Sequence, residues 1–564
     1  MKNVVYHLLR QMRMPLIALI GAYAVSTLGF VLIPGADDQG EPWRMNFFHA
    51  FYFVSFMGST IGFGEIPFPF TEPQRFWAII AIYTTVIAWL YAIGNLLALI
   101  QDQAFRHLVS STAFSRSVRR ITDPFYLVCG YGDTGSLLVR ELAHRYIQSV
   151  VIDINPERIN ALKIDDLPLY VPGLCANAAD SAALAAAGLA HPQCAGVIAL
   201  TNVDHTNLTI AITSKLLTPG LKVICRAETQ DSQANMASFG TDHIINPFET
   251  FARRFATMFR SPSMYLVYEW MTSIWETPVK DFMRPPAGDW ILCGYGRFGK
   301  AVQRHLTDEG LQTTIIEADT ERTRAPEGTV HGRGTEAFTL LEADIENAKG
   351  IIAGTDDDAN NLSIIITARD LNKGIFTVGR QNHRDNDAIF QAANINLVMQ
   401  PGTIISQRIL TLIMAPLLEN FLRLASDEDD KWANILVSRV AGVLSEEPLD
   451  IWTITIADEH TPAVIGIMGE GAEMTLKRLT TDPRDRTAAL PCVALLLKRD
   501  HAEILLPGEH SPLLAGDQLL FCGCSKAQTH MRWTARNLHA LNYICTGMDR
   551  PSGAVWRWLY SERR

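Results

Sequence analysis

Charge is absent from two long stretches near the start of the chain. Residues 14–33 and 76–100 contain no Asp, Glu, Lys or Arg. At 1.5 Å per helical residue, each is long enough to cross a hydrocarbon core about 30 Å thick. Between them, residues 46–58 are also uncharged but too short to span, which predicts a re-entrant helix that enters and leaves by the same side. From residue 123 the pattern changes. Short apolar runs of strand length alternate with amphipathic stretches of helix length, the mark of an alternating β-α array. An α-helical two-span membrane part therefore precedes a larger α/β part.

The α/β part repeats itself. FYLVCGYGDTG (125–135) and DWILCGYGRFG (289–299) are each an apolar strand running into Gly-x-Gly-x-x-Gly. A helix and a second strand follow each, ending at Asp153 in the first copy and Glu317 in the second, about twenty positions beyond the glycines. That spacing is the dinucleotide fingerprint. The glycines (Gly130, Gly132, Gly135; Gly294, Gly296, Gly299) admit a pyrophosphate to a helix N-terminus, and the carboxylate holds ribose hydroxyls. The likeness continues through GVIALTNVDHTNL (196–208) and GIIAGTDDDANNL (350–362), so each copy is expected to form a Rossmann-like, doubly wound parallel sheet. Arg297 within the second glycine loop, and Arg322 and Arg324 beyond Glu317, favour phosphate recognition in that copy. The acids at 153 and 317 favour NAD(H) or an adenine nucleotide (ADP, ATP or AMP) over NADP.

Between the short apolar helix and the second span lies STIGFGE (59–65). Thr60-Ile61-Gly62-Phe63-Gly64 resembles the selectivity filter of potassium channels, usually Thr-Val-Gly-Tyr-Gly. The resemblance implies that the carbonyls of Thr60, Ile61, Gly62 and Phe63, with the Thr60 hydroxyl, replace the water shell of a K+ ion. Phe63 stands where Tyr is usual and Glu65 where Asp is usual. Neither change alters the backbone oxygens, while the lost hydroxyl removes a brace behind the filter. Gly94 lies inside the second span and is a candidate gating hinge, with close helix packing as the other reading.

The tandem arrays resemble the regulator of potassium conductance (RCK) domains of prokaryotic ligand-gated potassium channels and potassium transporter subunits. The resemblance implies a homotetramer in membrane lipid, with two domains per chain making a ring of eight that pulls on the second span when cytoplasmic ligands bind. The expected divisions are a pore domain at 1–110 (spans 14–33 and 76–100, pore helix 46–58, filter 60–64) and a linker at 111–122. A first RCK domain with crossover helices at 123–286, a second at 287–433 and a small α+β lobe at 434–564 follow. Calcium activates some relatives through acids after the fifth strand, where this chain has Arg226 and Glu228. Asp204, Glu228, Asp356, Asp427 and Glu428 are the oxygen donors available for Ca2+.

Composition narrows the classes. A net charge of −10, with no basic stripe interleaved with aromatics, argues against nucleic acid. The nine cysteines lack metal-finger spacing and sit in apolar runs, which suits reduced core residues in a cytosol. Lys2, Arg10 and Arg13 precede the first span and Asp37, Asp38 and Glu41 follow it, placing both the N-terminus and the C-terminal domains on the cytoplasmic side of a cell (inner) membrane. The rival class is a membrane-anchored NAD-dependent oxidoreductase. No His-Asp or Ser-Tyr-Lys constellation follows either glycine motif, so a channel rather than an enzyme is expected.

Overall fold

The computed structural model describes residues 2–62, 64, 66–272, 284–443 and 449–548. The chain forms two compact units, Met1–Ile121 and Thr122–Arg564.

In the first unit, helix Lys2–Leu32 packs along helix Glu72–Gln101, with the short helix Phe47–Gly58 against both. Among the described residues, two single helices are long and apolar enough to cross a membrane, over Met12–Leu32 and Glu72–Gln101. The second begins four residues before the uncharged run, because Thr71 and Gln74 form a capping box and Pro73 suits a first turn. Two tryptophans tie the bundle together through hydrogen bonds. Trp77 Nε1 donates to the Ser26 carbonyl at 3.1 Å, and Trp89 Nε1 to the Tyr23 hydroxyl at 2.7 Å. The helix runs unbroken through Gly94, where an added Cβ would meet nothing within 4 Å. The break comes at Asp102, in extended conformation, and helix Gln103–Val118 then covers much of the expected linker.

The second unit holds two six-stranded, all-parallel sheets. In the first, the strand order is Gly173–Cys175, Gln148–Asp153, Phe125–Cys129, Cys194–Ala199, Lys222–Arg226, His243–Ile245. In the second it is Val330–His331, Thr313–Glu317, Trp290–Cys293, Gly350–Ala353, Phe376–Arg380, Leu397–Met399. Both are the 3-2-1-4-5-6 order of a dinucleotide fold. Their strands read as continuous apolar runs because helices cover both faces. The repeat extends to single hydrogen bonds. Asn207 Oδ1 accepts from Thr201 N and its amide donates to the Arg226 carbonyl, and Asn361 does the same with Thr355 and Arg380.

Each copy lends its crossover helix to the other. Helix Pro247–Arg260 places Phe248, Phe251 and Phe255 in the core built on Trp290, Leu292 and Phe298 of the second copy. Helix Pro401–Met414 places Ile405 and Ile409 in the core built on Val128, Leu138 and Val151 of the first. Each fully buried side chain of this size contributes about 1.5–3 kcal/mol, so the exchange ties the copies firmly. After helix Asp430–Val443, a four-stranded antiparallel sheet (Asp450–Thr455, Gln518–Gly523, Cys492–Arg499, Ala502–Leu505) and helices including Ser525–Arg536 form a small α+β layer with its own core.

Candidate functional site

The short apolar helix is capped by Asn46, whose Oδ1 accepts from His49 N at 2.8 Å. Gly58 ends it against the first span, where a Cβ would come within 2.8 Å of the Tyr23 hydroxyl. The chain then turns sharply, with the amides of Ile61 and Gly62 both donating to the Phe56 carbonyl. Gly62 and Gly64 have φ of +67° and +72°, the left-handed region that glycine enters without penalty. Thr60 also has positive φ, +62°, which a β-branched residue adopts only under strain. Thr60, Ile61, Gly62 and Gly64 are all exposed within this unit, so the turn leaves them free for other contacts. Phe63, and with it Glu65, lies outside the described residues.

The two glycine loops share a frame. Gly132 and Gly296 cap helices Asp133–His144 and Arg297–Asp308, presenting free N–H groups. Gly130 and Gly294 have φ of +105° and +94°. A Cβ on Gly135 or Gly299 would stand 2.0 or 2.1 Å from the carbonyl oxygen of Gly130 or Gly294, so these glycines serve helix–strand packing. The carboxylates of Asp153 and Glu317 each accept the amide of the loop tyrosine, Tyr131 or Tyr295, at 2.6 Å.

The copies differ in what lies over the loop. In the first, Asp133 follows the capping glycine, and the Arg158 guanidinium reaches within 3.5 Å of Asp153 Oδ2 and of the place a Cβ on Gly132 would take. In the second, nothing lies within 4 Å of that place on Gly296, and a cavity of about 620 Å³ opens above it. Arg297, Lys300, Arg322, Arg333 and Arg380 line it, with Glu317, Asp356 and Asn360. Five cations around a helix N-terminus suit a pyrophosphate. Lys300, Arg333 and Arg380 were not singled out from sequence. The strand-end arginine repeated in VICRAE and TVGRQN, Arg226 and Arg380, was the available signal.

Arg380 packs over the rings of Phe248 and Phe298, and its Nε finds no hydrogen-bond partner among the described residues. Burial lowers its pKa, and the nearby Glu228 carboxylate opposes that shift. Glu228 itself comes from the first copy. It pairs with Arg226 beside it and with Arg297 Nη2 of the second glycine loop at 2.8 Å.

Of the acids expected to offer calcium sites, Asp204 and Glu228 already have partners. Asp204 accepts the amides of Glu228 and Thr229, a cap repeated in the second copy by Asp358 with Asn382 and His383. Within the acidic run at 427–430, Asp429 caps a helix through Trp432 N, and Asp430 accepts from the Ser261 hydroxyl. Among the described residues no three His, Cys, Asp or Glu side chains gather as a metal site. Asp204, Glu228, Asp356, Asp427 and Glu428 therefore do not fit one.

Residues 17–102 match the ion-channel family model, and residues 126–247 and 290–401 each match the TrkA-N domain model. The chain is an ion-channel segment joined to two TrkA-N domains. Potassium channel protein 1 of Methanocaldococcus jannaschii is 26% identical over 209 residues, which are 37% of this chain and 60% of that protein. A Trk system potassium uptake protein TrkA homolog of Pyrococcus abyssi is 30% identical over 136 residues, 22% of this chain and 60% of that one. The chain spans 60% and 44% of the length of the first two curated relatives it matches. Among solved structures, the GsuK channel bound to NAD aligns over 94% of this chain and 99% of its own, at 16% identity and a TM-score of 0.46. The channel segment makes this a membrane protein of two spans. The turn that follows helix Phe47–Gly58 belongs to that segment and the open glycine loop to the second TrkA-N domain.

Proposed function

We propose that the chain is the subunit of a homotetrameric, potassium-selective channel gated by a nucleotide, an adenine nucleotide or NAD(H), at the second TrkA-N domain. The observation that carries this reading is the turn at residues 60–64: left-handed glycines directly after a short re-entrant helix, between two spans. Four such turns around an axis would close a carbonyl-lined tube, with the negative ends of four helices favouring a cation. Potassium is supported by the resemblance of the turn and by the names of two relatives from Methanocaldococcus jannaschii, Potassium channel protein 1 and Probable potassium channel protein 2. The TrkA-N domains would lie in the cytoplasm, eight to a ring, and act on the second span through helix Gln103–Val118.

The cavity of the second domain favours ligand sensing over catalysis, since its cations are placed to hold phosphate. The first domain, with Asp133 and Arg158 over its loop, would serve as a structural partner. Four ligand sites per tetramer then suffice. If each favours one gate state about fourfold, together they shift the equilibrium about 256-fold, about 3.3 kcal/mol.

The test is single-channel recording of the purified full-length protein in bilayers, under opposed potassium and sodium gradients, with ADP or NAD on the cytoplasmic face. Potassium-selective currents whose open probability changes with nucleotide are expected. Currents without selectivity for potassium over sodium would overturn the channel reading.

A further inference from the structure

The two TrkA-N domains meet across an approximate internal symmetry, and its equivalent corners are not alike. The position after the capping glycine is Asp133 in the first loop and Arg297 in the second. Asp133 faces His383 of the second domain at 3.9 Å, whereas Arg297 is bound at 2.8 Å by Glu228 of the first. One corner thus ties the domains through the same guanidinium that lines the nucleotide cavity. Glu228 is buried and can give Arg297 up without being stranded, because Arg226 pairs with its other oxygen. Arg297 is half exposed and free to turn.

We propose that Glu228 is a tethered competitor for the phosphate of the nucleotide: the ligand takes Arg297 from Glu228 and so unfastens this tie between the domains. The inference rests on the nucleotide reading above and says how the site is tuned. A phosphate between Arg297 and Arg380 brings two negative oxygens where Glu228 supplies one, and Arg380, unpartnered at Nε, gains an acceptor. By linkage, whatever ligand binding costs the tie, the tie costs ligand binding. Affinity in the second domain is thereby set by a residue of the first.

The experiment is calorimetric titration of ADP into the detergent-solubilised full chain, comparing wild type, Glu228→Gln, Arg297→Gln and the double variant. Glu228→Gln is expected to tighten ADP about fivefold, the scale of a partly exposed ion pair. It is expected to change affinity less than about twofold in the Arg297→Gln background, where no tie remains to compete. Glu228→Asp, which withdraws the carboxylate without removing its charge, should fall between and guards against misfolding of the Gln variant. Wild-type binding unaltered by Glu228→Gln, or equal gains in both backgrounds, overturns the competitor and leaves the nucleotide site standing. Absence of ADP binding by all four proteins overturns both.

Discussion

Ser406 Oγ donates a hydrogen bond to the Thr134 carbonyl at 3.1 Å, joining residues 272 positions apart in a fully buried contact. It is where the crossover helix of the second TrkA-N domain lies on the glycine-loop helix of the first. Gly402, one turn earlier, leaves room for Thr134, whose Oγ1 would sit 3.2 Å from a Cβ there. Ser406→Leu would overfill this seam and is expected to cost about 1–3 kcal/mol, read as a lower Tm of the solubilised protein. Ser406→Ala should cost about 1 kcal/mol.

The glycines of the second loop separate into two kinds. Gly299→Ala drives a Cβ into the Gly294 carbonyl and is expected to destabilise the domain by more than about 2 kcal/mol. At Gly296 a Cβ meets nothing within 4 Å, so Gly296→Val should lower the Tm far less than Gly299→Ala while weakening ADP at least about tenfold by filling the approach to the helix N-terminus. Thermal melting beside ADP titration checks both.

In the channel segment, Gly62→Ala puts a β-carbon on a residue at φ +67°. Loss of potassium current is expected, with the protein still folded by circular dichroism. Currents like those of wild type would show that the turn does not line the ion path.

Glu249, on the crossover helix of the first domain, holds Arg304 and His305 of the second. Burial by itself would raise its carboxyl, and the hydrogen bonds from Arg304 and His305 outweigh it, leaving the pKa below the usual carboxylate range. A lowered folded pKa contributes stability that is complete above the unfolded value, near 4.3, and is lost as pH falls through the folded one. Melting between about pH 5 and pH 3 should therefore fall more steeply for wild type than for Glu249→Gln.

All nine cysteines are free, and those of the sheet cores are sealed. Burial pushes the Cys293 thiol up to about 12, and burial with the nearby Asp242 does the same for Cys225. Maleimide at neutral pH is expected to leave Cys129, Cys225 and Cys293 unlabelled in the folded chain and to react with all three in denaturant.

Charge-free runs and periodicity made the two long apolar helices, the short apolar helix between them and both parallel sheets legible, because burial on both faces of a strand and around a membrane helix leaves a residue-by-residue record. Repeated glycines and acids likewise located both glycine loops and the carboxylates that accept their tyrosine amides. Which loop is open was only half legible: Arg297 was visible in the motif, but Arg158 over Gly132 is a matter of where a side chain folds back. Among the acids read as calcium donors, Asp204 occupies a turn where its carboxylate collects the backbone amides of Glu228 and Thr229. Gly94 lies in a helix that runs unbroken to Gln101, which one glycine costs only about 1 kcal/mol. Arg380 and Glu228 join one site only through packing of distant segments, which no local pattern records.

The guanidinium of Arg158 over the first glycine loop has an evolutionary side. In a ring of identical single-domain subunits, any change to a binding loop strikes every site together. Once two copies share a polypeptide, inheritance treats them separately: one can surrender its loop to an internal cation while its twin keeps an open cleft, and the shared helices hold both in place. The two copies differ at this point, with Arg158 beside Gly132 in the first and open space at Gly296 in the second.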